Sequence, residues 1–282
     1  MSQTTSSAAS ESAPTRIGRR FAELRPAGEL GLVAYLTAGD PSLEASREIV
    51  LAAVEAGADV VELGVPFSDP IADGPVIQRA SERALRAGTT LSGVLDLVAD
   101  LRRTSQVPLV LFSYFNPILQ MGLETFARRA AAAGADGVLA TDLTPEEAGE
   151  YRRVLRGAGL DTIFLAAPTT PEERIERVAQ ASSGFLYLIS RTGVTGQRDT
   201  LPEDLGALVE RVRRATMLPL AVGFGIARPE HVRALVGQVD AAVVGSALVA
   251  EVGRAASGAD AAKAVAALAR SLKSAGVRAA RP

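Results

Sequence analysis

The chain has no cysteine, no tryptophan and a single histidine, His231. The missing cysteines exclude disulfides, thiolate nucleophiles and Cys-ligated metals. One histidine excludes a multi-His metal site, and a Ser-His-Asp hydrolase would have to use His231. Acid–base work therefore falls mainly to carboxylates, Tyr or Lys. Aromatic residues make up only 4%, which argues against a stacking platform for single-stranded nucleic acid. The 30 basic and 32 acidic residues leave a net charge of -2, so there is no electrostatic case for a nucleic-acid binder or a polybasic membrane anchor. No uninterrupted apolar run reaches the ~18 residues a membrane span needs.

What remains is a 282-residue chain, 48% apolar and 22% charged, an ordinary balance for a soluble globular protein. A cytoplasmic location is expected. Residues 1–15 are Ser-, Thr- and Ala-rich with little apolar bulk. They cannot offset the entropy of ordering, and they lack the apolar core of a secretory signal, so a disordered tail is expected there. Residues 16–282 are expected to form a single catalytic domain.

From Arg16 onward, short apolar runs alternate with segments of helical period. The runs are 32–37, 60–64, 108–112, 137–141, 162–166, 185–189, 219–224 and 241–245. They are too short and too continuously apolar for half-exposed strands, so they read as strands buried on both faces. Gly-containing junctions ending in Asp precede several of them: AGAD at 56–59 and 133–136, GAGLD at 157–161 and GQVD at 237–240. Gly suits a left-handed helix cap, and the Asp helps turn the chain into the strand. Eight strand–helix units in about 250 residues is the arithmetic of an α/β (β/α)8 TIM barrel of parallel strands, here with an extra N-terminal helix. The rival, an open doubly wound sheet, would want a Gly-rich fingerprint after the first strand. LTAGDP stands there instead.

In such a barrel the reactive groups sit at the C-terminal strand ends. Glu62 interrupts the apolar run VVELGV. It is either a structural salt-bridge partner or a carboxylate whose pKa burial has raised for acid–base work. The loop PFSDPIADGP, 66–75, holds three prolines and two aspartates. Asp73 is either a turn residue or the second carboxylate of one cleft. SRTGVTG (190–196), GFG (223–225) and GSA (245–247) follow the last three strands. These glycines either permit turns or bring backbone N–H groups and a helix N-terminus at Ser246 up to a phosphate. Arg191 and Arg198 read as solvated loop charges. His231, at the start of an exterior helix, reads as a surface residue.

LTAGDP (36–41), VELGVPFSDPIADGPVIQ (61–78), SYFNPI (113–118), SRTGVTG, GFGI and GSA together resemble the tryptophan synthase alpha subunit family. The likeness runs from about residue 17 to 275. The segment 61–78 is its most specific part; GFG and GSA are shared with several phosphate-binding barrels. The resemblance implies a retro-aldol lyase that cleaves indole-3-glycerol phosphate to indole and glyceraldehyde 3-phosphate, with no metal and no cofactor in this chain. It implies that Glu62 is the acid–base residue and that Asp73 bonds the indole N–H. Tyr187 would orient Glu62, and Thr195 would bond Asp73 on loop closure. Gly196, Gly225, Gly245 and Ser246 would hold the phosphate. Tyr35, Leu111 and Leu139 would line the indole pocket; Tyr35 replaces the Phe more usual in the family. TDLTPEE (141–147) departs from the usual DLPPEE, which implies a small loop change.

The implied partner is a beta subunit, in an α2β2 tetramer, which carries the pyridoxal phosphate and receives indole through a tunnel. It would be met by the loops at Asp69, Pro70, Asn116 and Pro117. The two lysines, Lys263 and Lys273, are poor Schiff-base candidates. The alternatives are a stand-alone lyase that releases indole, a non-catalytic regulatory subunit and a sugar-phosphate isomerase of the same fold. Together, Glu62 and Asp73 argue against a non-catalytic subunit.

Overall fold

The structure is a computed structural model that describes residues 15–189, 205–223 and 225–277. Among the described residues, nine strands form one parallel sheet: β1 (Gly31–Thr37), β2 (Val60–Gly64), β3 (Leu109–Ser113), β4 (Gly137–Ala140), β5 (Asp161–Thr162), β6 (Leu165–Ala166), β7 (Leu186–Ile189), β8 (Leu220–Gly223) and β9 (Ala241–Val244). The order across the sheet is β5-β4-β3-β2-β1-β9-β8-β7-β6. Residues 162–166, read as one strand from the sequence, form two short pieces. The first pairs with β4 and the second with β7. Because both pieces belong to one continuous stretch of chain, they join the two ends of the sheet. The result is the eight-unit barrel with its fifth strand interrupted.

The helices are α1 (Arg16–Ala27), α2 (Leu43–Glu55), α3 (Pro75–Arg86), α4 (Leu91–Arg102), α5 (Phe115–Met121), α6 (Leu123–Ala133), α7 (Gly149–Gly157), α8 (Glu172–Ala181), α9 (Leu205–Ala215), α10 (Pro229–Leu235), α11 (Ser246–Arg254) and α12 (Gly258–Ala275). Several start on a hydroxyl cap. Thr15, Ser42, Thr90 and Ser257 each accept a hydrogen bond from the N–H three residues on, satisfying a donor the helix leaves open.

Strand alternation sorts the core into two layers. Val33, Val60, Val110, Leu139, Ile163, Phe185 and Ala221 fill the barrel interior. The alternate residues pack outward against the helices. The extra helix α1 closes the lower mouth, where the strands begin, by burying Ile17, Phe21 and Leu24 against that interior.

Three of the four junction aspartates do more than turn the chain. Each accepts an N–H at the start of the preceding strand: Asp59 from Leu32 at 2.6 Å, Asp136 from Leu109 at 2.8 Å and Asp240 from Leu220 at 2.8 Å. Each also faces a cation of α1, namely Arg20 for Asp59, Arg16 for Asp136 and Arg25 for Asp240. A second cation completes each set: Lys273 at Asp59, Arg102 at Asp136 and Arg213 at Asp240. The charge on these three is thus paired and hydrogen-bonded, the condition under which buried charge is tolerated. On the fourth, Asp161, Oδ2 is buried without a hydrogen-bond partner among the described residues, and burial raises the carboxyl.

His231 differs from its sequence reading. It does lie on an exterior helix, α10, but it is 6% exposed and buried with Val232 and Leu235. Helix α10 packs on α12, and the face that carries His231 turns inward.

Candidate active site

The upper mouth, at the C-terminal strand ends, holds a cavity of about 250 Å³. Tyr35, Glu62, Phe112 and Tyr187 line its floor, and Asp73 and Gly74 one side. Gly225, Gly245 and Ser246 line the other. The sequence-predicted residues Glu62, Asp73, Tyr187, Tyr35, Gly225, Gly245 and Ser246 therefore share one space. Thr195 and Gly196 lie outside the described residues.

Glu62 has the same strand parity as Val60, so its side chain points into the barrel and not toward the helices. It is 0% exposed, and neither carboxylate oxygen has a hydrogen-bond partner among the described residues. Burial without a counter-charge raises its carboxyl to about 8, because desolvation penalises the ionised form. The salt-bridge reading of Glu62 is thereby set aside.

Asp73 ends the proline-rich loop, just before α3. The loop is braced: Asp73 N–H donates to the Pro70 carbonyl at 3.0 Å, and Gln78 Nε2 donates to the Asp73 carbonyl at 2.9 Å. Tyr114, at the end of β3, accepts the Ala72 N–H at 2.8 Å and donates its hydroxyl to Asp73 Oδ2 at 3.2 Å. Burial moves the Asp73 carboxyl up to about 6, opposed by the Tyr114 hydrogen bond. Near pH 7 the two acids therefore occupy opposite states, Glu62 mostly protonated and Asp73 mostly ionised.

Two glycines make room for the two tyrosines of the floor. A Cβ on Gly64 would stand 2.2 Å from the Tyr35 hydroxyl, and one on Gly223 would stand 2.0 Å from the Tyr187 hydroxyl. Only glycine lets these rings lie across the neighbouring strand. Burial pushes both phenols above their ordinary range, so they stay protonated. Tyr35 also packs edge-on against Phe112, with centroids 5.1 Å apart.

On the opposite wall Gly245 caps α11 without any side-chain hydrogen bond, so no cap side chain competes with an anion for the first N–H groups of the helix, starting at Ser246. Gly225 has φ +89°, the left-handed backbone that lets a turn present its N–H groups. Arg254 is the sole cation among the described lining residues. The sequence reading overlooked it because it stands at the far end of α11.

Leu111 is a correction. It belongs to the outer layer, buried against the helices, and Phe112 takes the cavity position. A run apolar on both faces carries no period-2 signal, so the sequence could not fix which residue faces inward. Leu139 does face the interior, but it is not among the lining residues. Asp69 is exposed and Pro70 half-buried on the proline-rich loop, while Asn116, exposed, and Pro117, half-buried, lie in the first turn of α5 rather than on a loop. Among the described residues no group of three or more His, Cys, Asp or Glu is placed to hold a metal ion.

The family model described as tryptophan synthase alpha chain matches residues 21–277. The chain belongs to the tryptophan synthase alpha chain family. Its relatives include the alpha chain of Solibacter usitatus (strain Ellin6076), 58% identical over 83% of this chain and 88% of that one. The alpha chain of Geobacter sp. (strain M21) is 53% identical over the same shares. Among solved structures, Mycobacterium tuberculosis tryptophan synthase superposes with a TM-score of 0.87 at 35% identity, covering 95% of this chain and 100% of that one. The alpha subunit from Legionella pneumophila str. Paris gives a TM-score of 0.86 at 40% identity, with 93% and 98% covered. The family likeness thus spans both the barrel and the loops that build the cavity.

Proposed function

We infer that this chain cleaves indole-3-glycerol phosphate to indole and glyceraldehyde 3-phosphate, as the alpha subunit of a tryptophan synthase. The observation that carries the reading is the buried, unpartnered Glu62 in one cavity with Asp73 and the N-terminus of α11. A phosphate suits the Gly225, Gly245 and Ser246 wall, with Thr195 and Gly196 as further partners from the loop after β7. That anchor directs the indole toward the apolar floor of Tyr35, Phe112 and Tyr187, beside Glu62.

Protonated Glu62 gives its proton to indole C3. The ring loses its pyrrole aromaticity, and positive charge gathers at the ring nitrogen. Ionised Asp73 accepts the N–H bond and stabilises that charge, an effect worth several kcal/mol in a dry site. The Glu62 carboxylate then takes the proton of the glycerol hydroxyl next to the ring. The C–C bond breaks, its electron pair returns to the indole, and the hydroxyl carbon leaves as the aldehyde. Glu62 ends protonated, so the cycle needs no water and no redox partner. Tyr187 keeps Glu62 in line. Thr195, outside the described residues, is proposed as a further partner of Asp73.

The partner is the beta subunit, in an α2β2 assembly. The partner carries the pyridoxal phosphate, and this chain uses no cofactor of its own. Asp69, Pro70, Asn116 and Pro117 face it. Ile71 on the proline-rich loop is 88% exposed and Leu119 on α5 is 56% exposed, apolar area that suits a protein contact. Tyr114 ties that surface to Asp73, a route by which the partner's binding could adjust the acid pair. Among the described residues no helix is long and apolar enough to cross a membrane, consistent with a cytoplasmic enzyme. The test is to supply indole-3-glycerol phosphate with and without the beta subunit and follow indole. Formation that the partner accelerates supports the reading; no indole in either arm refutes it.

A further inference from the structure

His231 is the single histidine of the chain. It is buried on α10, away from the acids of the mechanism. Its Nδ1 accepts the backbone N–H of Ala227 at 3.3 Å. Ala227, Ile226 and Gly225 are consecutive cavity-lining residues, and they form the turn between β8 and α10. Arg228, the N-cap of α10, supplies no side-chain capping bond to that helix. The His231 ring therefore does what a Glu or Gln in the first turn of a helix often does, reaching back to satisfy a backbone donor just ahead of it.

We propose that His231 is a positioning residue for the phosphate cradle, holding the Gly225–Ala227 turn in its anion-binding form. The proposal rests on the reading of that turn as part of the phosphate site. Gly225 sits at φ +89°, a conformation glycine leaves easily because it tolerates so many others. A fixed acceptor two residues on limits that freedom before the ligand arrives, so less ordering is left for binding to overcome. Acceptance requires a neutral ring with Nδ1 unprotonated and the proton on Nε2. His231 touches neither the indole nor the scissile bond, so its influence falls on substrate affinity and not on the chemical step.

The test compares His231→Ala and His231→Asn in the full chain with its beta subunit. Asn places Oδ1 close to where Nδ1 stands and keeps the acceptor. His231→Ala should raise KM for indole-3-glycerol phosphate and Kd for glycerol 3-phosphate about tenfold, the loss expected for one hydrogen bond. kcat at saturation should stay within about twofold, and His231→Asn should restore both affinities to within about threefold. In 15N spectra the lone histidine should show the Nε2–H tautomer. The proposal is overturned if His231→Ala leaves both affinities within about twofold, if a folded His231→Asn binds as weakly as Ala, or if the proton sits on Nδ1. Ser246→Asp, which sets a carboxylate at the start of α11, tests the underlying site. If it leaves glycerol 3-phosphate affinity unchanged, the phosphate reading itself fails and takes this proposal with it.

Discussion

Asp59 and Asp136 at the lower mouth of the barrel and Glu62 at the upper mouth are buried acids that the fold treats in opposite ways. At the lower mouth Asp59 and Asp136, both almost fully buried, face two cations apiece and accept a strand N–H. At the upper mouth Glu62 is more deeply buried still, yet it has neither a cation nor a donor. A chain selected only to fold would treat the two alike. The lower acids contribute to cohesion, because their charge is compensated. Glu62 costs stability, and what the fold retains in exchange is an acid that stays protonated near neutral pH.

Substitutions should separate the two ends. The largest effect is expected at Glu62. Glu62→Gln should lower indole formation by about a thousandfold or more, with glycerol 3-phosphate affinity within a few-fold; near-normal turnover would remove Glu62 from the mechanism. Asp136→Asn should do the reverse. It should cost about 3 kcal/mol in urea unfolding, the expected loss when one partner of a buried ion pair is removed, and leave kcat within about twofold. An Asp136→Asn variant of full stability and low turnover would erase the distinction between the mouths.

A subtler contrast lies between neighbours on β3. Leu111→Ala should lose about 2–4 kcal/mol of stability through a cavity in the outer layer, with KM little changed. Phe112→Ala should raise KM, because it removes a cavity wall. If Leu111→Ala instead raised KM while Phe112→Ala did not, Leu111 and not Phe112 would have to face the substrate. The pH dependence is the gentlest probe. kcat/KM should rise as Asp73 ionises near 6 and fall as Glu62 loses its proton near 8, a bell that Glu62→Gln and Asp73→Asn should each dismantle.

The barrel was legible in the sequence because its strands are short apolar runs separated by helical periods and Gly–Asp junctions. Glu62 was legible for the same reason, since a charge inside such a run is rare. The same continuous apolarity hid the facing of Leu111 against Phe112, and nothing in TIFLA marks the interruption between β5 and β6. His231 could have been caught: with Val232 and Leu235 it occupies one face of a short helix, at i, i+1 and i+4. The cations of α1 were visible only as a polar helix face, because their partners lie 39 to 215 residues away in the chain.

The most direct measurement is the titration of Glu62 itself. With 13Cδ-labelled glutamate, the difference between the spectra of the wild-type chain and Glu62→Gln isolates one carboxyl. An inflection near pH 8, joined by a stability advantage of Glu62→Gln that grows from pH 5 to pH 8 by a few kcal/mol, is the predicted result. The sign follows from linkage: the folded chain holds a proton on Glu62 that the unfolded chain has already released, so raising the pH favours unfolding only when that carboxyl is present. An inflection near the ordinary value of 4.5, with no pH-dependent gain in the variant, would contradict the account.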